Sequence, residues 1–390
     1  MKGFIHMKNW KKALLVASVL TLGAVGAYQP SYAASNATVS QSQVHLQGAT
    51  MANGIANDTR TFAIDNNIKA VDVRFPNKFG FTVAGHLYLP ANFDANKKYD
   101  AIVVSGAFGA VKEQTSGLHA QELAKRGFVA VAFDPSTNGE SSGEIRDVGS
   151  PEIYTEDYSA AVDFLGSLDF VNRNRIGALG ICGLSGPAIT AAVNDVRIKA
   201  VATTAMYDMS DSIRNHYNGS YYTPEQREAV KAEMAKERWE AVDTGKQVRS
   251  YHEMSVDANN NVTSGNGILL PDQSVQTDPV TTRFQEYYKG RAYHERAVNS
   301  ASMWDNRTKY GFFGFSLMEH IEELGDRPVL MITGDKAHSK YFTDEAYAKA
   351  GKNKQLIVVP GADHVDLYDN LNLIPMDAMA DFFHKSLDNQ

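Results

Sequence analysis

Four short runs of apolar residues constrain this chain more than anything else in it. Ala101–Val104, Phe128–Phe133, Arg175–Ile181 and Lys199–Ala205 are apolar over most of their length and do not alternate. A strand with that pattern is covered on both faces. Helix-like segments lie between the runs, at Gly117–Arg126, Glu156–Leu165 and Pro187–Val193. Strand, helix, strand, helix in this order predicts a parallel, doubly wound α/β sheet. A hairpin precedes it, because Val71–Phe75 and Thr82–Leu89 alternate around the turn Asn77-Lys78-Phe79-Gly80. The pattern breaks near Met206 and resumes at Pro328–Thr333 and Gln355–Val359, and a helix over Met376–Leu387 closes the chain.

The break defines the domains. Residues 66–205 and 325–390 are expected to form the core, with 206–324 inserted late in the sheet as a mostly helical cap. Thr223-Pro224-Glu225-Gln226 is a capping box with proline at the first helical position, and its helix should run to about Asp243. Such an insertion sits over the strand ends, where ligands bind in open α/β sheets. It carries Tyr217, Tyr221, Tyr222, Tyr287, Tyr288, Trp304, Phe312, Phe313 and Phe315. Most of these are expected in the cap's own core, and some in an aromatic-lined pocket.

The first residues read as a targeting segment. Lys2, Lys8, Lys11 and Lys12 precede an apolar run, Ala13–Ala27, and Ser31-Tyr32-Ala33 supplies a small-residue exit. Residues 1–33 therefore read as a secretory signal, too short in its apolar part for a membrane anchor, and the mature protein as exported, periplasmic or secreted. Residues 34–65, rich in Ser, Asn, Thr, Gln and Ala, read as a linker or loose arm. Removing residues 1–33 takes away four lysines and no acid, so the formal charge moves from -7 to -11. That excludes nucleic acid and anionic membrane as expected partners. Asp257-Ala258-Asn259-Asn260-Asn261 is a turn rather than a calcium loop, since Val262 and Ile268 stand where Gly and Glu are needed. No metal or cofactor is expected.

The single cysteine, Cys182, lies at the end of Ile176–Ile181, where a buried strand turns directly into a helix. A side chain at such a turn projects from the top of the sheet, beside free N–H groups of the helix start. Gly180 relieves crowding there. Ser185 in Gly183-Leu184-Ser185 is the competing nucleophile, but it falls nearly one helical turn later. A helix N-terminus and a nearby imidazole would make the thiol accessible and its pKa low. His364 follows the last strand in Pro360-Gly361-Ala362-Asp363-His364, a position for a general base. The predicted oxyanion hole uses the N–H groups of Gly183 and Ala107.

These residues resemble the α/β-hydrolases, and within them the dienelactone-hydrolase-like branch with a cysteine nucleophile. The likeness is carried by Gly180-Ile181-Cys182, Gly106–Gln114, Phe133-Asp134-Pro135-Ser136 with Gly139-Glu140-Ser141, and Gly361-Ala362-Asp363-His364-Val365-Asp366-Leu367-Tyr368. It implies hydrolysis of a small acyl substrate (an ester, thioester or lactone) through a Cys182 acyl-enzyme. A peptidase on the same fold and a non-catalytic binding protein are the alternatives. The family's acid position holds Ala337 here. Asp208, after the preceding strand, is the expected substitute; Asp335 is the alternative, and a dyad without an acid remains open.

Overall fold

The computed structural model describes residues 44–264, 278–297 and 303–388. The expected signal at 1–33 lies outside these, as do residues 34–43 and parts of the insertion. The core is a nine-stranded sheet. Its first seven strands are β1 (Thr50–Met51), β2 (Lys69–Pro76), β3 (Thr82–Leu89), β4 (Tyr99–Gly106), β5 (Val129–Phe133), β6 (Val171–Ile181) and β7 (Ile198–Thr204). Helices α1 (Thr115–Lys125), α2 (Pro151–Gly166) and α3 (Ser185–Asn194) connect β4 to β7.

Among its described residues, the segment between β7 and residue 325 adds no strand to this sheet. It contains α4 (Met209–Asn215), α5 (Pro224–Thr244), α6 (Pro279–Gln285) and α7 (Arg307–Gly314). It also holds two small antiparallel pairs, from β8 (Arg249–Ser250), β9 (Met254–Val256), β10 (Val262–Ser264) and β11 (Trp304–Asp305). Thr223 and Gln226 form the reciprocal cap of α5, worth ~1 kcal/mol of helix stability. Asp257 accepts the N–H groups of Asn259 and Asn261 and so builds the β9–β10 turn. The chain then returns to the sheet with β12 (Val329–Gly334), α8 (Lys340–Lys349), β13 (Lys354–Val359), α9 (Asp366–Asp369) and α10 (Met376–Asp388).

Strand order is β1-β2-β3-β5-β4-β6-β7-β12-β13. The first three pairings are antiparallel and the rest parallel. All five residues of β5 and the last six of β4 and β6 are buried. This explains their unbroken apolar sequence: α1 with α10, and α2 with α3, pack over the two faces. Among the described residues, no helix is long and apolar enough to cross a membrane.

One expectation needs correction. Residues 44–65 do not form a loose arm. Thr50 and Met51 pair with Arg74 and Val73, the Thr61 N–H donates to Glu113 O at 2.9 Å, and the Asp65 N–H donates to Gln121 Oε1 at 3.1 Å. A polar composition hid a segment held mostly by backbone hydrogen bonds, which leave little trace in residue type.

Candidate active site

The strand β6 delivers Cys182 to the top of the sheet. Cys182 has φ +53°, a left-handed conformation that a residue with a β-carbon rarely adopts. A single 3-10 turn, Cys182–Leu184, leads into α3. The turn is tight enough that a β-carbon on Gly180 would lie 2.6 Å from Ser185 Cα and 2.7 Å from Leu184 O. Beneath it, the Tyr158 hydroxyl reaches the carbonyls of Ser105, Leu179 and Leu184 at 3.2–3.3 Å. Ser185 is fully buried, and its hydroxyl donates to Gly180 O at 3.1 Å. Its role is local to the turn.

The N–H groups that face the Cys182 sulfur differ from the expected pair in one residue. The N–H groups of Phe108 and Gly183 both reach the Cys182 sulfur. The Ala107 N–H is already spent on Ile181 O at 3.1 Å, so it is not free to stabilise an oxyanion. Ala107 has φ +40°, which turns the following N–H inward. Phe108 is held from behind by Trp304, stacked at 4.2 Å, and by Phe312 at 5.5 Å. Two aromatic residues of the insertion therefore support the loop that carries the Phe108 N–H.

His364 is 1% exposed, and both ring nitrogens are engaged. Nδ1 lies 2.6 Å from the Ser339 hydroxyl and Nε2 lies 2.9 Å from the Tyr368 hydroxyl. The expected acid, Asp208, is elsewhere. Its carboxylate caps α4, accepting the N–H groups of Ser210 and Asp211 at 3.0 and 3.1 Å. Burial pushes its pKa up to about 7, which further weakens it as a counter-charge. Asp335 is not the partner either; its carboxylate accepts the Gly361 N–H at 2.8 Å. Short polar side chains at loop starts tend to be claimed by neighbouring backbone, and both aspartates are. The third member of the constellation is Ser339, in the turn that follows Ala337.

A serine at this place orients the imidazole without adding charge. If Ser339 Oγ accepts from Nδ1–H, Nε2 is left as the basic nitrogen. Ser339→Ala is expected to lower kcat roughly 10-fold, well short of the ~10⁴-fold known for an acid in a serine triad, with KM nearly unchanged. Steady-state kinetics on a chromogenic ester checks this; an unchanged kcat would remove Ser339 from the site.

The thiol is not the low-pKa, accessible group expected from sequence. Cys182 is 6% exposed. Burial pushes its pKa up, and the nearby Glu253 carboxylate adds to this; hydrogen bonding with the Tyr368 hydroxyl and from the N–H groups of Phe108 and Gly183 only partly offsets the rise. Burial, with His338 beside it, also holds His364 well below the usual imidazole range. Both shifts favour a pair of neutral thiol and neutral imidazole over thiolate and imidazolium. Iodoacetamide labelling of Cys182 should be slow at pH 7 and rise with a midpoint above about 8.5, the free-thiol value. The acid limb of kcat/KM should lie below pH 6.5, because a depressed imidazole stays basic to lower pH. Fast labelling at pH 7 would contradict the neutral pair.

Cys182 opens into a narrow cavity of about 50 Å³, walled by Phe108, Tyr207, Tyr251, Glu253, Phe284 and Tyr368 among others. Tyr217 and Tyr288 of the expected aromatic set also line it, while Tyr221 and Phe315 point to solvent. Beyond Tyr207, Tyr217, Glu253 and Phe284 lies a second space of about 530 Å³ that reaches His338 and Tyr341. Glu253 is a buried carboxylate, bonded by the Tyr217 hydroxyl at 2.5 Å. Its pKa is lowered although burial acts against ionisation, through His252 and Tyr217. Composition alone did not point to Glu253, Ser339 or Tyr368. Tyr368 had a usable signal, since it stands four residues after His364, one helical turn away. Among the described residues, no cluster of histidine, cysteine and carboxylate side chains could hold a metal.

A mostly parallel sheet with this strand order, a positive-φ residue at the β6–α3 turn and a histidine after the last strand define a hydrolase of the α/β-hydrolase fold. Comparison with known proteins gives the family. The model of the X-Pro dipeptidyl-peptidase (S15) family matches residues 80–314, and the chain belongs to that family. The match includes Cys182 and stops short of His364. The chain is 44% identical to the uncharacterized protein PA2218 of Pseudomonas aeruginosa, over 84% of each chain. The crystal structure of that protein superposes with a TM-score of 0.77, covering 85% of this chain and 98% of that one. YcjY of Escherichia coli is 30% identical over 80% of this chain and 99% of its own. Thiohydrolase aneE of Aspergillus aculeatus is 35% identical over 35% of this chain and 42% of its own.

Proposed function

We propose that this protein hydrolyses an ester or thioester of a small acyl group through a Cys182 acyl-enzyme. One observation carries the reading: the Cys182 sulfur stands at a positive-φ turn with the N–H groups of Phe108 and Gly183 both directed at it. An acyl carbonyl carbon bonded to that sulfur would place its oxygen near the same two donors. Each such donor contributes about 3 kcal/mol to lowering the barrier. The sulfur attacks the carbonyl, the thiol proton leaves toward His364, and the leaving group takes it as the acyl-enzyme forms. Water, activated by His364, then releases the acid.

The likeness to thiohydrolase aneE over about a third of the chain favours an acyl ester or thioester. The family description favours a second reading, release of an X-Pro dipeptide. The two are separated by a panel of p-nitrophenyl acyl esters, acyl thioesters and X-Pro p-nitroanilides. Turnover of short acyl esters or thioesters with inert anilides supports the first reading. Anilide cleavage alone replaces it with the second, and no turnover on any of them favours a binding protein on the same scaffold. Export is part of the proposal and rests on residues 1–33; N-terminal sequencing of the mature protein tests it.

A further inference from the structure

Cys182 and His364 do not meet directly. The Tyr368 hydroxyl stands between them: it hydrogen-bonds the Cys182 thiol on one side and lies 2.9 Å from His364 Nε2 on the other. The other ring nitrogen is held by Ser339. We infer that Tyr368 is a catalytic residue that relays the thiol proton from Cys182 to His364. The inference rests on the Cys182–His364 reading above.

The geometry follows from the chain. Tyr368 lies in α9, one turn beyond His364, so both side chains leave the same short segment. The ring is fully buried. Its faces and edges are taken by Tyr287 at 5.1 Å, His364 at 5.2 Å and Tyr288 at 6.3 Å. The Tyr288 hydroxyl also bonds to that of Tyr368. Arg283 holds the segment from the insertion, bonding Asp363 at 2.6 Å and Asp366 at 2.8 Å. Arg291 does the same to Asp369 at 2.6 Å. A hydroxyl fixed this firmly between two neutral groups can accept and donate at once.

The step balances without any other reactant. As the sulfur lone pair forms the C–S bond, the C=O π pair moves onto oxygen. The S–H proton passes to the Tyr368 oxygen, the Tyr368 proton passes to His364 Nε2, and the tyrosine ends neutral. The imidazolium returns a proton by the reverse path to the departing oxygen or sulfur. Because the tyrosine gains one proton as it loses another, it need not ionise inside a buried site.

Two measurements test this. The first uses the unaltered protein: acylation rates in mixtures of H₂O and D₂O should give a bowed proton inventory, as two protons move together. A linear, one-proton inventory would overturn the relay. The second uses Tyr368→Phe, which keeps the ring packing and removes only the hydroxyl. kcat should fall about 100-fold, the range of a lost acid–base group, with little change in KM. In the same variant, iodoacetamide labelling should lose its dependence on His364, so that adding His364→Ala causes no further change in the labelling profile. Full kcat with Tyr368→Phe, or a labelling profile still sensitive to His364, would show that thiol and imidazole act without the hydroxyl. Labelling needs no substrate, so it decides the relay even if no ester in the panel is turned over.

Discussion

Cys182→Ala should abolish turnover, with kcat down by about 10⁴–10⁶-fold, the scale seen when a hydrolase nucleophile is removed. The fold should survive. Alanine occupies the same positive-φ position with a smaller side chain, and the turn is held by Tyr158 and Ser185 rather than by the thiol. A melting temperature within a few degrees of the unaltered protein, together with activity near the uncatalysed rate, is the expected pair of results. Retention of more than a few per cent of kcat would move the nucleophile elsewhere, and Ser185 would be the first residue to test. Cys182→Ser is the informative companion. A hydroxyl there has no low-energy anion, and His364 has only a neutral serine behind it, so the serine variant should be far weaker than the cysteine enzyme.

The second large effect is on stability. Lys112 is 1% exposed, and its ammonium contacts Glu113 at 2.7 Å, Glu140 at 2.9 Å and Asp134 at 3.3 Å. Arg296 of the insertion reaches Glu113 at 2.5 Å. Burial opposes the charge on Lys112, but the three carboxylates hold its pKa above the ordinary value. Burial would likewise raise Glu113; Lys112, His86 and Arg296 overcome this and hold it at about 2. Lys112→Met fits the space and leaves the carboxylates without their main counter-charge. Breaking a buried ion pair from one side costs about 3–5 kcal/mol, which should lower the melting temperature by roughly 4–7 °C in a chain of this size.

The loss should depend on pH in a defined direction. Glu113 is depressed in the folded protein, so its contribution is present above the ordinary glutamate value, about 4.3. It fades as pH falls from there toward about 2. Asp134 acts the other way, raised by burial and by Glu113, so its ionisation weakens the fold. Lys112→Met should therefore be most damaging near pH 7, with the deficit shrinking below pH 4 as the carboxyls protonate. Calorimetry at pH 7 and pH 3.5 checks this; an equal deficit at both would mean that packing, not charge, is what lysine supplies.

The fold was largely legible because its signals are local. β4, β5 and the second half of β6 are covered on both faces, and unbroken apolar runs have few other uses. The turn at Cys182 was legible because a strand, Gly180 and a helix start fall within a few residues. What failed depends on contacts between distant segments. Ser339 and His364 are brought together from the ends of two different strands, and no periodicity marks that meeting. Asp208 looked suitable in sequence because it follows β7. Its carboxylate instead closes the first turn of α4, a competition decided by two backbone N–H groups. The burial of Cys182 was not legible for a related reason. A helix start favours thiolate, but the depth to which the insertion buries the sulfur is a property of the assembled cap, and there it dominates.

Arg283 and Arg291 fasten the insertion to the short stretch that bears His364 and Tyr368. Trp304 and Phe312 of the same insertion back the Phe108 donor. The insertion thus braces the candidate site as well as covering it. Warming that frays this segment would displace His364, Tyr368 and the Phe108 N–H together while the sheet is still intact. Activity in such a protein would fail as a single event, at a temperature below the one at which the molecule unfolds.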